Sequence, residues 1–246
     1  MPNHVKNRII LLGNKKQLKG VIETFNTHHP AELHRAHDGT IICRKTEKKE
    51  DEGWSCAWFN EKTGEFLERI GSGEDIKHQG FQDGWEMEIN PAYDAFPDFY
   101  KVIPQPDNIF NGSLGEKEKE MCRKEGRPNW YDWNIDNWGT KWDGYNFKKE
   151  DDNTFTFETA WSSVPRIIEK MSRQFPNVTF VYEWADEDTG YNCGQVEYIN
   201  GNPRMEIRPE GGSKTAYDIA FKLRPQYREY YELIDGEYKR KDDEDE

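Results

Sequence analysis

The feature that most limits what this chain can become is a strand followed by an amphipathic helix, met twice about 150 residues apart. Val5 to Leu12 contains the apolar run Ile9-Ile10-Leu11-Leu12, stopped by Gly13-Asn14, as a buried strand requires. From Lys15 to Phe25, the apolar residues Leu18, Val21, Ile22 and Phe25 share one helical face. The second copy opens at Thr154 to Trp161, where Phe155, Phe157, Thr159 and Trp161 alternate with polar residues. Ser162-Ser163 offer an N-cap and Pro165 falls in the first turn, where a missing N–H costs nothing. Val164, Ile167, Ile168, Met171 and Phe175 then keep helical spacing until Pro176-Asn177. Val178 to Trp184 is a further strand, with Val178, Phe180, Tyr182 and Trp184 on one face and Gln195 to Ile199 as its hairpin partner. Two such units can bury both helices on one side of a single sheet. This is the split βαβ, ferredoxin-like arrangement of the α+β class, each crossover right-handed.

The material between the units enlarges that plan. Thr40 to Lys45, Gly53 to Asn60, Glu65 to Ile70 and Gly84 to Ile89 predict an inserted β-meander within about 38–95. Asp98 to Ile103 is another strand candidate, and Glu116 to Lys124 has the composition of an exposed helix. A Trp-rich loop segment is expected at about 127–147. The domain then runs over 1–200, with 201–240 as a C-terminal extension packed on it and 241–246 as an acidic, disordered tail. Tyr217 to Leu223 and Tyr227 to Tyr238 suit helix and strand equally.

Charge narrows the function. The net charge is −13, and successive fifties carry +5, −9, 0, −6 and, in the last 46 residues, −3. Phosphate binding depends on clustered Lys and Arg, so a nucleic-acid partner is disfavoured. Aromatics make up 14% of the chain, which points to a packed core. No apolar run is long enough to span a membrane, and Met1 to Lys6 has no signal-type stretch, so the expectation is a cytoplasmic protein. Cys43, Cys56, Cys122 and Cys193 form no C-x-x-C pair and are expected to be reduced thiols, although Cys43 and Cys56 could face each other across a hairpin.

Several elements carry a resemblance. Met1-Pro2-Asn3-His4-Val5-x-Asn7, Val102-Ile103-Pro104-x-Pro106, Asn137-Trp138-Gly139-Thr140-Lys141-Trp142-Asp143 and Phe157-x-Thr159-x-Trp161-Ser162-x-x-Pro165, followed by Phe175-Pro176, resemble the YubB ferredoxin-like family of plasmid- and phage-encoded proteins. The resemblance spans 1–190 and implies a ferredoxin-like fold and a mobile-element origin, that of a bacterial host cell's phage or plasmid. It implies no cofactor, because the cysteine spacing of an iron–sulfur cluster is missing. No catalytic residue follows from it.

The candidate binding residues are Trp130, Trp133, Trp138, Lys141, Trp142, Asp143, Trp161, Trp184, Asp186 and Glu187. The indoles offer large contact area at low entropic cost, although the same rings also suit a lid packed over the sheet. Glu183, Asp186, Glu187 and Asp188 could hold a hard cation, but their spacing is that of a solvated turn rather than a calcium loop. His28, His29, His34 and His37 lack a matching set of metal ligands, and no phosphate loop or nucleophile elbow occurs. The expected function is a non-enzymatic accessory protein that binds a host or phage protein. In one version it antagonises a host defence system, with acidic faces at 51–100 and 151–200 imitating nucleic-acid phosphates. The alternative is a small-ligand or nucleotide-binding enzyme, its base stacked on the tryptophans and a metal on the 183–188 acids.

Overall fold

The structure is a computed structural model and describes residues 3–33, 41–45, 54–59, 66–70, 85–87 and 89–241. In chain order its elements are β1 (His4–Leu12), α1 (Lys15–Phe25), β2 (Thr27–His29), β3 (Glu32–Leu33), β4 (Ile41–Lys45), β5 (Trp54–Phe59), β6 (Phe66–Ile70), β7 (Trp85–Met87), β8 (Ile89–Asn90) and β9 (Tyr93–Ala95). There follow α2 (Phe99–Val102), α3 (Glu116–Glu125), α4 (Trp130–Trp138), β10 (Tyr145–Lys149), β11 (Thr154–Ala160), α5 (Pro165–Gln174), β12 (Thr179–Asp186), β13 (Cys193–Ile199), β14 (Asn202–Ile207) and α6 (Lys214–Leu223). A 3-10 turn at Pro225–Tyr230 leads into β15 (Tyr231–Ile234) and β16 (Glu237–Arg240). One unit comprises the chain up to Thr27 and from Asp94 onward; the other is His28–Tyr93.

The first unit is built on a six-stranded sheet of order β10-β11-β1-β12-β13-β14, antiparallel throughout. Strand β1 lies between β11 and β12, which run parallel to each other and are joined through α5. Strands β1 and β10 are likewise parallel, with β11 between them. This is the ferredoxin-like α+β order predicted from the two strand–helix units, extended by β13 and β14. Val5, Asn7, Ile9 and Leu11 are buried in strict alternation along β1. They join Val21 and Phe25 of α1 and Ile167, Ile168 and Met171 of α5 in one core, with Leu18 packed against it. Helix α1 starts where Asn14 accepts from the Gln17 amide at 3.0 Å and the Gln17 side chain answers the Asn14 amide at 2.8 Å. Helix α5 has Pro165 in its first turn, but Val164 stands at the cap position and no serine side chain caps it.

The opposite sheet face carries α6, whose Ala216, Ala220 and Leu223 pack on Ala185 and Cys193. Both outer strands are interrupted. The register of β10 shifts between Tyr145 and Lys148, and β14 has Pro203 beside a shift in its pairing with β13. Gly194, opposite Trp184, leaves room for that indole: a Cβ there would stand 2.5 Å from it.

Two expectations change, and one open reading is settled. Asp98 to Ile103 is the short helix α2 rather than a strand, because the Asp98 carboxylate accepts from the Tyr100 amide at 2.9 Å and starts a turn. The Trp-rich segment is not a loop over 130–138: Asn129 caps α4 by accepting from the Asp132 amide at 3.0 Å, and Gly139 ends it at φ 86°. The C-terminal stretch resolves as helix α6, then a hairpin turning at Asp235-Gly236. There the rings of Tyr217, Phe221, Tyr231 and Tyr238 gather, with the Arg228 guanidinium 4.8 Å from the Tyr238 centroid.

The second unit contains a four-stranded antiparallel sheet of order β6-β5-β4-β7; β4, β5 and β6 pair in chain order as a meander would, but β7 pairs with β4 rather than with β6. Cys56 stands opposite Ile42 and Cys43 opposite Ser55, so the two cysteines are not directly paired in register. The side chains of this sheet, His34 and His37, and the acids 242–246 lie outside the described residues.

Candidate functional site

A buried polar network fixes the frame on which the site stands. Asn7, fully buried, donates to the Val5 carbonyl and to Thr159 Oγ1, both at 2.9 Å, and accepts from the Tyr182 hydroxyl at 2.6 Å. Tyr182 accepts from the Val164 amide at 2.8 Å, and Thr159 donates to the Ser162 carbonyl at 2.7 Å. Three strands and the start of α5 are thereby locked together, with the polar groups satisfied as burial demands.

The Trp138-to-Asp143 box divides into inward and outward residues. Trp138 is fully buried and donates from Nε1 to the Ile103 carbonyl at 2.9 Å. Gly139 supplies the left-handed turn, and Thr140 Oγ1 donates to the Ala160 carbonyl at 2.9 Å. Asp143 accepts through Oδ1 from the Phe99 amide at 3.2 Å and the Gly144 amide at 2.7 Å, holding the start of α2. Lys141, half-buried, and Trp142, exposed, make no such side-chain hydrogen bond. Asn134 of α4, buried, donates to the Lys141 carbonyl at 2.8 Å and sets where the side chain leaves the backbone.

Trp161, after β11, completes the surface. Its φ is 64°, a left-handed conformation that costs a bulky residue energy and needs support from its surroundings. Its amide donates to the Asn3 carbonyl at 2.8 Å, and its carbonyl accepts from Asn192 at 3.2 Å. Both asparagines also donate to the buried Asp186 carboxylate, Asn3 at 3.2 Å and Asn192 at 2.8 Å. Asp186 thus positions the Trp161 turn from behind. The Lys141 ammonium lies 4.4 Å from the Trp142 ring centroid, 5.4 Å from Trp161 and 6.0 Å from Tyr131. Trp142 and Trp161 remain 37% and 43% exposed.

The other candidates are dispersed. Trp184 is buried in the main core, and Trp133 packs against that core with its ring edge-on to Trp138 at 5.6 Å. Trp130 is half-buried and donates to the Gly112 carbonyl at 3.0 Å. Glu187 is exposed at the end of β12, its amide bonded to the His4 carbonyl at 3.1 Å. Of the sequence candidates, the fold brings together Lys141, Trp142 and Trp161, with Asp186 as their support.

Two features were not read from the sequence. Burial pushes the Asp143 carboxyl up to about 7; the Gly144 amide opposes this, the nearby Asp98 charge reinforces it, and the Phe99 amide opposes it. On the other sheet face, buried Glu183 accepts from Arg8 Nε at 2.8 Å and pairs with Arg8 Nη2 at 2.5 Å and with Lys222 of α6. That carboxylate, counted among the acids of the 183–188 turn, is part of an ion network inside the fold. An open groove of about 410 Å³ is lined by Lys6, Asn146, Phe147, Lys148, Thr156, Phe157 and Glu158, and by no indole. Cys122 and Cys193 are free and buried, and burial pushes the Cys193 thiol up to about 11. Among the described residues, no group of three or more His, Cys, Asp or Glu side chains is placed to hold a metal ion. No helix of the described residues is long and apolar enough to cross a membrane.

No curated protein and no solved structure matches the chain. Residues 137–223, from the end of α4 to the last residue of α6, match the family model described as the ferredoxin-like domain in Api92-like protein, which agrees with the strand order of the sheet.

Proposed function

We propose that this chain is a non-enzymatic accessory protein that acts by binding another protein through the surface formed by Lys141, Trp142 and Trp161. The observation that carries the reading is the division of labour in the Trp138-to-Asp143 box. Four of its residues hold the fold, and the two that do not present an indole and an ammonium to solvent beside a second indole. Rings held in place before a partner arrives lose little freedom on binding, and exposed tryptophans of this kind act as anchors in protein interfaces. The mobile-element part of the proposal, a phage or plasmid protein working in the cytoplasm of a bacterial host on a component of its defences, rests on the resemblance to the YubB family. A nucleotide-dependent enzyme has less support. The Asp186 oxygens are engaged by Asn3, Asn192 and the Asp188 amide, and neither of two grooves among the described residues is lined by the indoles or by the 183–188 acids.

The test compares capture from bacterial lysate by the full chain and by the Trp142→Ala, Trp161→Gly double variant. Glycine at 161 removes the ring and suits the left-handed turn. A protein recovered by the parent and lost with the variant, while the variant keeps its fold by circular dichroism, supports the proposal. Equal recovery by both, or none by either, counts against it.

A further inference from the structure

The same surface has a charge pattern that points to the chemistry of its partner. The Lys141 ammonium lies among three rings and forms no ion pair with any described carboxylate. Asp143, two residues on, is turned inward onto the Phe99 and Gly144 amides. Asp186, behind Trp161, is taken up by Asn3, Asn192 and the Asp188 amide. In a chain of net charge −13, this leaves an uncompensated cation on an exposed aromatic surface. When such a surface is covered, the ammonium loses water and needs an anion in return.

We infer, building on the protein-binding reading, that the surface receives an acidic peptide segment: a carboxylate meets Lys141 while a neighbouring apolar side chain lies against Trp142 and Trp161. A single ammonium suits one carboxylate. A nucleic-acid strand gains its affinity from several phosphates neutralised together, and one lysine on an acidic protein does not supply that. The two indoles supply the apolar contact area that a lone surface ion pair lacks, since such a pair is worth little by itself.

The experiment uses the full chain with nitrogen-15-labelled indoles; among its nine tryptophan signals, those of Trp142, Trp161 and Trp138 are assigned by Trp142→Phe, Trp161→Phe and Trp138→Phe. Four probes are titrated: a capped Glu-Phe-Glu-Leu-Glu peptide, its Gln and Lys counterparts, and a short oligothymidylate. The expected result is that the Glu peptide moves the Trp142 and Trp161 signals, leaves Trp138 in place, and binds about tenfold more tightly than the Gln peptide. That preference should vanish in Lys141→Gln, persist in Lys141→Arg and shrink as salt rises. If the Gln peptide moves both signals with equal affinity, the acidic-partner inference falls while the binding surface stands. If no probe moves either signal, the proposed function falls with it. Tighter binding of the oligothymidylate than of the Glu peptide overturns the inference in favour of a nucleic-acid strand.

Discussion

Phe180, Tyr182 and Trp184 on β12 are separated by single steps from Val181, Glu183 and Ala185, yet the two sets meet different surroundings. The first set lies in the apolar core shared with α1 and α5. Of the second set, Ala185 packs on α6, and Glu183 is a buried carboxylate held by Arg8 and by Lys222 of α6. On the first face, Phe180 and Trp184 contribute in proportion to the area they remove from water, and Tyr182 adds the hydroxyl that satisfies buried Asn7 and the Val164 amide. On the second, Glu183 is tolerated only with its partners present, and those partners come from opposite ends of the chain. Charge therefore specifies how the last helix sits, whereas apolar burial supplies most of the stability.

Five measurements would break or sharpen this contrast. The largest effect is expected for Trp138→Ala, which empties a fully buried site on the apolar face and should cost about 3–5 kcal/mol in urea unfolding. Glu183→Ala should follow at about 3 kcal/mol, because it leaves Arg8 without its partner in a mostly buried position. The double replacement Arg8→Met with Glu183→Leu should bring stability back to within about 1 kcal/mol of the parent; if it is as damaging as the single change, the face is not held as described. A pH series is next. Asp143 is raised well above the ordinary carboxyl value, so the native state keeps a proton that the unfolded chain releases. Its contribution is complete below about pH 4 and is lost as pH rises through about 7, and Asp143→Asn should flatten that decline. A decline of the same steepness in the variant would assign the titration to another group. Smallest is Asn14→Ala, which removes the cap of α1 and should cost about 1 kcal/mol, read as a shift in denaturation midpoint.

The frame was legible because β1, α1, β11, α5 and β12 carry their period openly, in alternation along the strands and in three-and-four spacing along the helices. The short helices were not. In α2 and α4 a single cap residue, Asp98 or Asn129, starts the turn, and the aromatic residues that follow resemble strand or loop. Lys141, Trp142 and Trp161 could be named from their residue types and spacing, but which of the nine tryptophans face solvent depends on tertiary packing. Glu183 shows the opposite case. It lies 175 positions from Arg8 and 39 from Lys222, and no local pattern announces a contact made only when β1, β12 and α6 come together.

The interrupted margins of the six-stranded sheet have a consequence for how the molecule meets others. A shifted register beside Lys148 and Lys149 at one margin, and Pro203 at the other, deny a visiting strand the continuous ladder of amides and carbonyls it would need. Stacking of copies into fibrils is discouraged for the same reason. If the proposed binding surface is right, recognition is left to side chains standing away from the backbone, and exchanging one or two rings would redirect it without disturbing the scaffold beneath.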